Sequence, residues 1–187
     1  QIDVPIAMTA VTGEQIDAFG ISNIAEIISM TPGAGSVDNG GGFTQVQIRG
    51  VSSSLGGNDN GYYLDEIPFT GVSVPWYPEA RSWDIDRVEI LKGPQGTLFG
   101  EGSMGGTVRI LTRKPDFNEF GGAIEASAST TQGGSDGWGG KAVVNIPLID
   151  DRLAARVAVT DEKLSGWTDD NTTGNKDINE QRVKTGR

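Results

Sequence analysis

The chain has no cysteine and no histidine among its 187 residues. Without cysteine there is no disulfide framework, no thiol nucleophile and no cysteine-ligated metal. Without histidine the commonest general base and every Ser-His-Asp arrangement are excluded. The adjacent acids Asp65 and Glu66 point to opposite faces of a strand, so they cannot flank one scissile bond. We therefore expect a protein that is not an enzyme, with no catalytic residue, no metal site and no cofactor.

Basic residues are scarce at the start of the chain, where Arg49 is the one base in the first 80 positions against nine acids. The whole chain has a net charge of −10. Nucleic-acid phosphates need clustered Lys and Arg, so this balance argues against a nucleic-acid partner. An arginine isolated among acids indicates a specific partner for Arg49.

The chain contains no run of about 18 apolar residues, so no transmembrane helix is predicted. It begins at Gln1 without Met or an apolar signal segment, and we expect either a processed chain or a fragment. Crossing a membrane with strands stays open, because barrel strands carry a much weaker signal. The 28 glycines favour turns and bulges in a β-rich chain.

Two short helices are predicted after an opening strand at Val4–Val11. Thr12 and Gln15 have the spacing of a capping box, which predicts a helix that ends before Gly20. A second helix begins after Asn23, and Thr31-Pro32-Gly33 ends it because proline cannot continue a helix.

From Gly33 onward, alternating segments between polar loops predict a sheet. The predicted strands are Gln45–Arg49, Tyr62–Phe69 with its turn, Ile85–Leu91 and Thr107–Thr112. The loops Ser52–Gly61 and Gly71–Trp83 are long for a compact domain, and such loops are usually functional.

After Pro115 three alternating segments of about ten residues predict strands long enough to cross a bilayer at a tilt. A short turn, Leu148–Arg152, and a long acidic loop, Asp161–Glu180, match the layout of a transmembrane barrel. A soluble sandwich would also alternate, but one set of side chains fits a wet lumen better: Glu125, Lys141, Asn145 and Arg156. Trp138 and Trp167 are candidates for an interfacial aromatic girdle, the alternative being tryptophans that are simply exposed.

Ile85–Pro115 is the segment with the densest motifs. Its glycines lack the spacing of a nucleotide loop, since no Gly-Lys-Ser/Thr step follows and the segment leads into a strand. It resembles the signature of TonB-dependent receptor plugs through Arg87-Val88-Glu89-Ile90, Lys92-Gly93-Pro94, Phe99-Gly100 and Gly105-Gly106. Two further segments match in order: Ile48-Arg49-Gly50, and Tyr63–Pro68, in which Glu66 replaces a glycine of many members.

The resemblance implies an α+β plug domain with a small mixed β-sheet and two short helices, over residues 1–116. The first three to four antiparallel strands of an incomplete transmembrane β-barrel would follow over 117–187. It implies TonB-dependent transport of a scarce metal-siderophore, vitamin or oligosaccharide across the bacterial outer membrane. The partners would be TonB, through a box upstream of this segment, outer-membrane lipid and the small-molecule substrate. An extracellular β-rich binding or adhesion module without transport is the alternative.

In the family, plug arginines pair with glutamates of the barrel wall. Carried over, these are Arg49 and Arg87, with Lys92 where many members have arginine; local pairing with Glu89 or Asp86 is the alternative for Arg87. Substrate contact comes from loops at the plug apex, which gives the candidates Asn39, Ser53, Asn58, Asn60, Trp76 and Tyr77. For the two aromatic candidates the alternative is packing against the barrel wall.

Overall fold

The computed structural model describes residues 7–39, 43–53, 56–69, 77–78, 80–100 and 102–187. The chain divides into two compact units, Gln1–Arg113 and Lys114–Arg187. No helix in these described ranges is long and apolar enough to cross a membrane.

Helix α1, Gly13–Phe19, begins at the predicted capping box. The Gln15 N–H donates to Thr12 Oγ1 at 3.3 Å, and the Thr12 N–H donates to Gln15 Oε1 at 3.1 Å. The helix ends at Gly20, whose φ of +66° is the left-handed geometry that glycine adopts without a steric cost. The first predicted helix is confirmed.

Helix α2, Ile24–Met30, is also confirmed. Asn23 caps it, since the Glu26 N–H donates to Asn23 Oδ1 at 2.8 Å. One face of the helix is buried and consists of isoleucines, namely Ile24, Ile27 and Ile28.

Within the residues that the structure describes, eight strands and a third helix complete the first unit. They are β1 (Ala7–Thr12), β2 (Ala34–Asp38), β3 (Phe43–Ile48), β4 (Asn60–Leu64), β5 (Ile67–Pro68), β6 (Tyr77–Pro78), β7 (Ile85–Lys92), α3 (Gly96–Phe99) and β8 (Gly106–Thr112). The main sheet has the order β1-β7-β8-β4-β5, with β4 and β8 parallel and the other pairs antiparallel, and a smaller sheet has the order β2-β3-β6. The predicted mixed sheet is confirmed.

The core of this unit lies on one face of the main sheet. Val88 and Ile90 of β7 and Val108 and Ile110 of β8 are fully buried. They form one cluster with the isoleucines of α1 and α2. Because side chains alternate along a strand, the intervening residues, such as Glu89, lie on the other face of the sheet.

The second unit is a four-stranded antiparallel sheet with the order β12-β11-β10-β9. Its strands are β9 (Gly121–Thr130), β10 (Asp136–Ile149), β11 (Leu153–Leu164) and β12 (Gln181–Gly186). The register places Lys141 opposite Glu125 and Asn145 opposite Arg156. The four polar residues that the sequence assigned to one face therefore lie on the same face of this sheet.

Two predicted boundaries in this sheet are wrong. The short turn was expected to begin at Leu148, but β10 continues to Ile149. The long loop was expected to begin at Asp161, but β11 continues to Leu164. The charged end of β11 pairs with β12, where Arg182 binds Asp161 with two hydrogen bonds of 3.0 and 2.9 Å. An opposite charge across the ladder stabilises a strand that its own polarity disfavours.

Candidate functional site

Arg49 lies in a two-residue turn. Ile48 and Val51 exchange backbone hydrogen bonds of 3.1 and 2.9 Å, which leaves Arg49 and Gly50 as the central residues. Their φ angles are +51° and +81°. A type I′ turn requires positive φ at both positions and favours Asn-Gly there. The turn therefore presents an exposed arginine in a conformation that arginine rarely adopts.

The structure brings the Arg49 side chain close to Gly93, the residue after Lys92, which is also predicted to pair with the barrel wall. Arg49 Nη1 would lie 3.3 Å from a Cβ added to Gly93, the residue after Lys92. Neither cation forms a salt bridge with a carboxylate of the described residues. The Arg49 guanidinium thus lies beside the end of β7, whose last residue is Lys92.

Arg87 is part of a charge ladder on the polar face of the main sheet. Its Nε donates to Glu89 Oε1 at 2.7 Å, and its Nη1 donates to Asp86 Oδ2 at 2.5 Å. Hydrogen bonds to Glu89 and Asp86 raise the pKa of the Arg87 guanidinium above its ordinary value. The local pairing raised as an alternative is therefore present, and pairing with a barrel wall stays a prediction.

The charge ladder continues into β8 through Arg109. Arg109 Nη1 donates to Glu89 Oε2 at 2.8 Å, and Nη2 donates to Glu66 Oε1 at 3.1 Å. The Arg109 guanidinium also lies 5.4 Å from the centre of the Phe99 ring. The ladder thus consists of Asp86, Arg87, Glu89, Arg109 and Glu66, with three acids and two arginines.

Two predicted substrate-binding residues, Asn60 and Tyr77, contact each other inside the first unit. The Tyr77 hydroxyl donates to the Asn60 carbonyl, and the Asn60 amide donates to the carbonyls of Val46 and Val51 at 3.0 and 2.8 Å. Asn60 is 1% exposed and Tyr77 2%. Burial, together with the nearby Asp59 carboxylate, raises the pKa of the Tyr77 hydroxyl well above its ordinary value, so Tyr77 stays neutral. The pair joins β4 to β3 and β6; contact with a substrate stays a prediction.

The structure describes three further candidates for substrate contact, Asn39, Ser53 and Asn58. Asn39 is exposed after β2, and its N–H donates to the Phe43 carbonyl at 3.0 Å. The Ser53 carbonyl accepts from the Gln45 amide, and Asn58 is half-buried. Trp76 lies outside the described residues.

Asn145 has a structural role that its sequence position did not reveal: it binds the backbone of the segment before β9. Its Nδ2 donates to the carbonyls of Asp116 and Glu119 at 3.0 and 2.6 Å, and its Oδ1 accepts from the Asp116 N–H at 2.9 Å. The side chain is 3% exposed. We call this arrangement the connector clasp, because it holds the segment that leads into β9. The sequence assigned Asn145 to a polar face suited to a wet lumen and indicated neither its burial nor its partners, since those partners lie outside the strands.

No cluster of three or more acidic side chains within the described ranges is placed to hold a metal ion. The polar features of the first unit, within the described residues, are instead surface cations, a charge ladder and the polar segments between its strands. Such an arrangement suits ion pairing with another surface and recognition of a ligand by loops.

Comparison with known proteins gives consistent matches. Residues 1–107 match the family model described as TonB-dependent Receptor Plug Domain. The ferripyoverdine receptor of Pseudomonas aeruginosa is 33% identical over 131 residues, which are 68% of this chain and 15% of that receptor. The ferrioxamine B receptor of Salmonella typhimurium is 30% identical over 168 residues, 84% of this chain and 22% of that receptor.

Among solved structures, the crystal structure of the ferric yersiniabactin uptake receptor of Yersinia pestis superimposes with a TM-score of 0.80 at 26% identity. The match covers 97% of this chain and 28% of that receptor. The chain thus spans between 15% and 28% of the length of these relatives.

A small α+β unit with a mixed sheet, followed by the first antiparallel strands of a barrel, is the architecture of an outer-membrane receptor. The chain belongs to the TonB-dependent receptor plug domain family. The fold class, the resemblance and the location in the bacterial outer membrane that the sequence predicted are confirmed.

Proposed function

We propose that this chain is the gating plug, with the first barrel strands, of a receptor that imports a ferric siderophore using energy supplied through TonB. The observation that carries this proposal is the similarity to receptors named for ferripyoverdine, ferrioxamine B and ferric yersiniabactin. Vitamins and oligosaccharides, which the sequence also allows, have no comparable support among these relatives.

Arg49 is the first candidate for the ion pair that holds the plug to a barrel wall. A non-glycine residue with positive φ costs roughly 1 kcal/mol, a cost that glycine or asparagine at this turn would avoid. The cost is offset if the guanidinium makes a directional, bidentate pair with a carboxylate of another surface. Lys92 precedes Gly93, beside which the Arg49 guanidinium lies, and would add a second positive charge to the same contact.

Arg87 would take part through the charge ladder and not as an isolated cation. Its side chain is 45% exposed, so it retains donors for a further acceptor while Glu89 and Asp86 hold its orientation. The ladder would then fix the geometry of the plug-barrel contact at Arg87.

Substrate recognition would use the long loops that contain Asn39, Ser53, Asn58 and Trp76. Asn60 and Tyr77 support these loops from the interior through their mutual hydrogen bond. Their proposed effect on affinity is therefore indirect, through loop position.

The test is uptake of iron-loaded siderophores by cells in which the full-length receptor is the only siderophore receptor. We expect saturable binding of one siderophore class at the cell surface, and accumulation that requires TonB and the proton-motive force. Binding without TonB-dependent accumulation would instead support the binding-module alternative. Failure to bind any ferric chelate, with a vitamin or oligosaccharide bound in its place, would refute the substrate class.

A further inference from the structure

One face of the second unit changes from apolar to cationic along its length. Exposed apolar side chains on this face are Ile124, Trp138, Ile146, Val157 and Val159. The register continues the same face into two charged cross-strand rows, one with Trp138, Lys163 and Arg182 opposite one another, and one with Gly140, Asp161 and Lys184. The apolar surface therefore ends at a tryptophan that is bordered by cations.

The three cations of this border, Lys163, Arg182 and Lys184, are called the cationic row. The Arg182 guanidinium lies 5.4 Å from the centre of the Trp138 ring, which orients it beside the apolar surface. Asp161 and Glu180 are the acids that pair with the row, so the cluster has a net charge of +1.

The cations of the row keep donors that their acids do not use. Arg182 and Lys184 share Asp161, with Nη2 of Arg182 at 2.9 Å and Nζ of Lys184 at 3.4 Å from the same Oδ2 atom. Their side chains are 55% and 63% exposed. An ammonium has three N–H donors and a guanidinium has five, so both can bind a further anion.

The order of apolar surface, tryptophan and cations is the order of a membrane interface. The row lies at the end of the sheet that leads into the long loop between β11 and β12, and long loops of outer-membrane barrels face outward. We propose that the cationic row, beside Trp138, binds the phosphate of an anionic lipid headgroup in the outer leaflet. This inference depends on the proposed function only in that the chain must be part of an outer-membrane barrel.

The experiment uses the full-length receptor, purified in detergent, delipidated and titrated with diphosphoryl lipid A, with occupancy read by native mass spectrometry. The test variant is R182Q/K184Q. The charge-matched control is R152Q/K176Q, which removes two exposed cations of the short turn and the long loop that are not members of the row. Resistance of the barrel to unfolding in cold SDS shows that each variant is folded.

A cation near an anionic membrane surface changes binding by about fivefold. We therefore expect R182Q/K184Q to lower lipid A affinity by roughly five- to thirtyfold, and the control to stay within about twofold of wild type. D161N, which frees both cations from their shared acid, should bind as tightly as wild type or more tightly. Lipid A without its phosphates should bind weakly to all of them.

Wild-type affinity in R182Q/K184Q, an equal loss in the control, or indifference to the phosphates would overturn the proposal. If R182Q/K184Q does not fold, weaker binding by D161N would overturn it as well. Siderophore uptake is measured separately in cells: a receptor that imports iron but shows no phosphate-dependent lipid binding refutes only the lipid site.

Discussion

At the scale of single residues, Arg49 combines a positive charge with a positive φ angle. A substitution tests the charge alone if the new residue tolerates that backbone conformation. Asparagine tolerates the left-handed region, so Arg49→Asn removes the charge without adding strain. We predict that this variant folds with wild-type stability or gains up to about 1 kcal/mol. It should also hold the plug less tightly in the full-length receptor, which an increased leak of large antibiotics into cells would measure.

Arg49→Lys is the matched control, because it keeps the positive charge and loses the bidentate geometry. It should show a smaller leak than Arg49→Asn. Equal antibiotic leaks for Arg49→Asn and wild type would show that Arg49 does not hold the plug to the barrel wall.

Tyr77 offers a second prediction at this scale. Tyr77→Phe leaves the Asn60 carbonyl without its hydroxyl donor and should destabilise the region around β4 by about 1 kcal/mol. Because the folded-state pKa of the hydroxyl is raised, its stabilisation is fully present below pH ~10 and declines as the pH rises above that value. Hydrogen exchange of residues 60–64 measures both effects, and Tyr77→Phe should lose the alkaline dependence. An unchanged alkaline dependence in the variant would assign it to another group.

At the scale of elements, the charge ladder joins β7 to β8 across the polar face of the main sheet. Glu89 is 8% exposed and accepts from both Arg87 and Arg109. Glu89→Gln leaves two arginines without their shared carboxylate and should cost about 2 kcal/mol. Glu66→Gln is the matched control, since the Glu66 side chain is 84% exposed and its removal should cost less than about 1 kcal/mol.

Chemical denaturation of the plug, followed by hydrogen exchange in β7 and β8, measures this difference. Similar costs for the two variants would mean that burial of Glu89 does not strengthen the ladder.

The connector clasp is the corresponding feature of the second unit. Asn145→Ala removes three hydrogen bonds to the segment before β9 and should increase amide exchange at Asp116 and Glu119 by tenfold or more. Asn118→Ala is the control, because Asn118 reaches Asp151 through one exposed hydrogen bond. Unchanged exchange at Asp116 in Asn145→Ala would show that the segment is held by its own turn.

At the scale of the whole molecule, the sheet of the second unit has β9 and β12 at its edges within the described residues. Edge strands expose unpaired backbone groups, and lipid provides no water to satisfy them. We predict that residues 121–187 expressed alone aggregate or remain unstructured. Well-dispersed amide NMR signals from this fragment in detergent-free buffer would contradict the prediction.

Local signals made much of the fold predictable. The capping box at Thr12 and the start at Asn23 depend on contacts within one turn, and both helices begin where expected. Strands β2 and β6 and helix α3 were not predicted, and β6 lies inside the predicted loop Gly71–Trp83. Strand β2 forms because β3 pairs with it, and α3 is a single turn in a glycine-rich segment with no side-chain cap.

The sequence by itself determined the family, the division into plug strands and barrel strands, and the position of Arg49 as the one base in the first 80 residues. Each of these depends on residue identity and short spacing. Only the tertiary structure decided which residues meet: Glu89 with Arg109, Asn145 with Asp116, and Arg182 with Trp138. Each of these contacts joins residues at least 20 positions apart. Strand register and loop path set such contacts, and a shift of one residue would move every side chain to the opposite face.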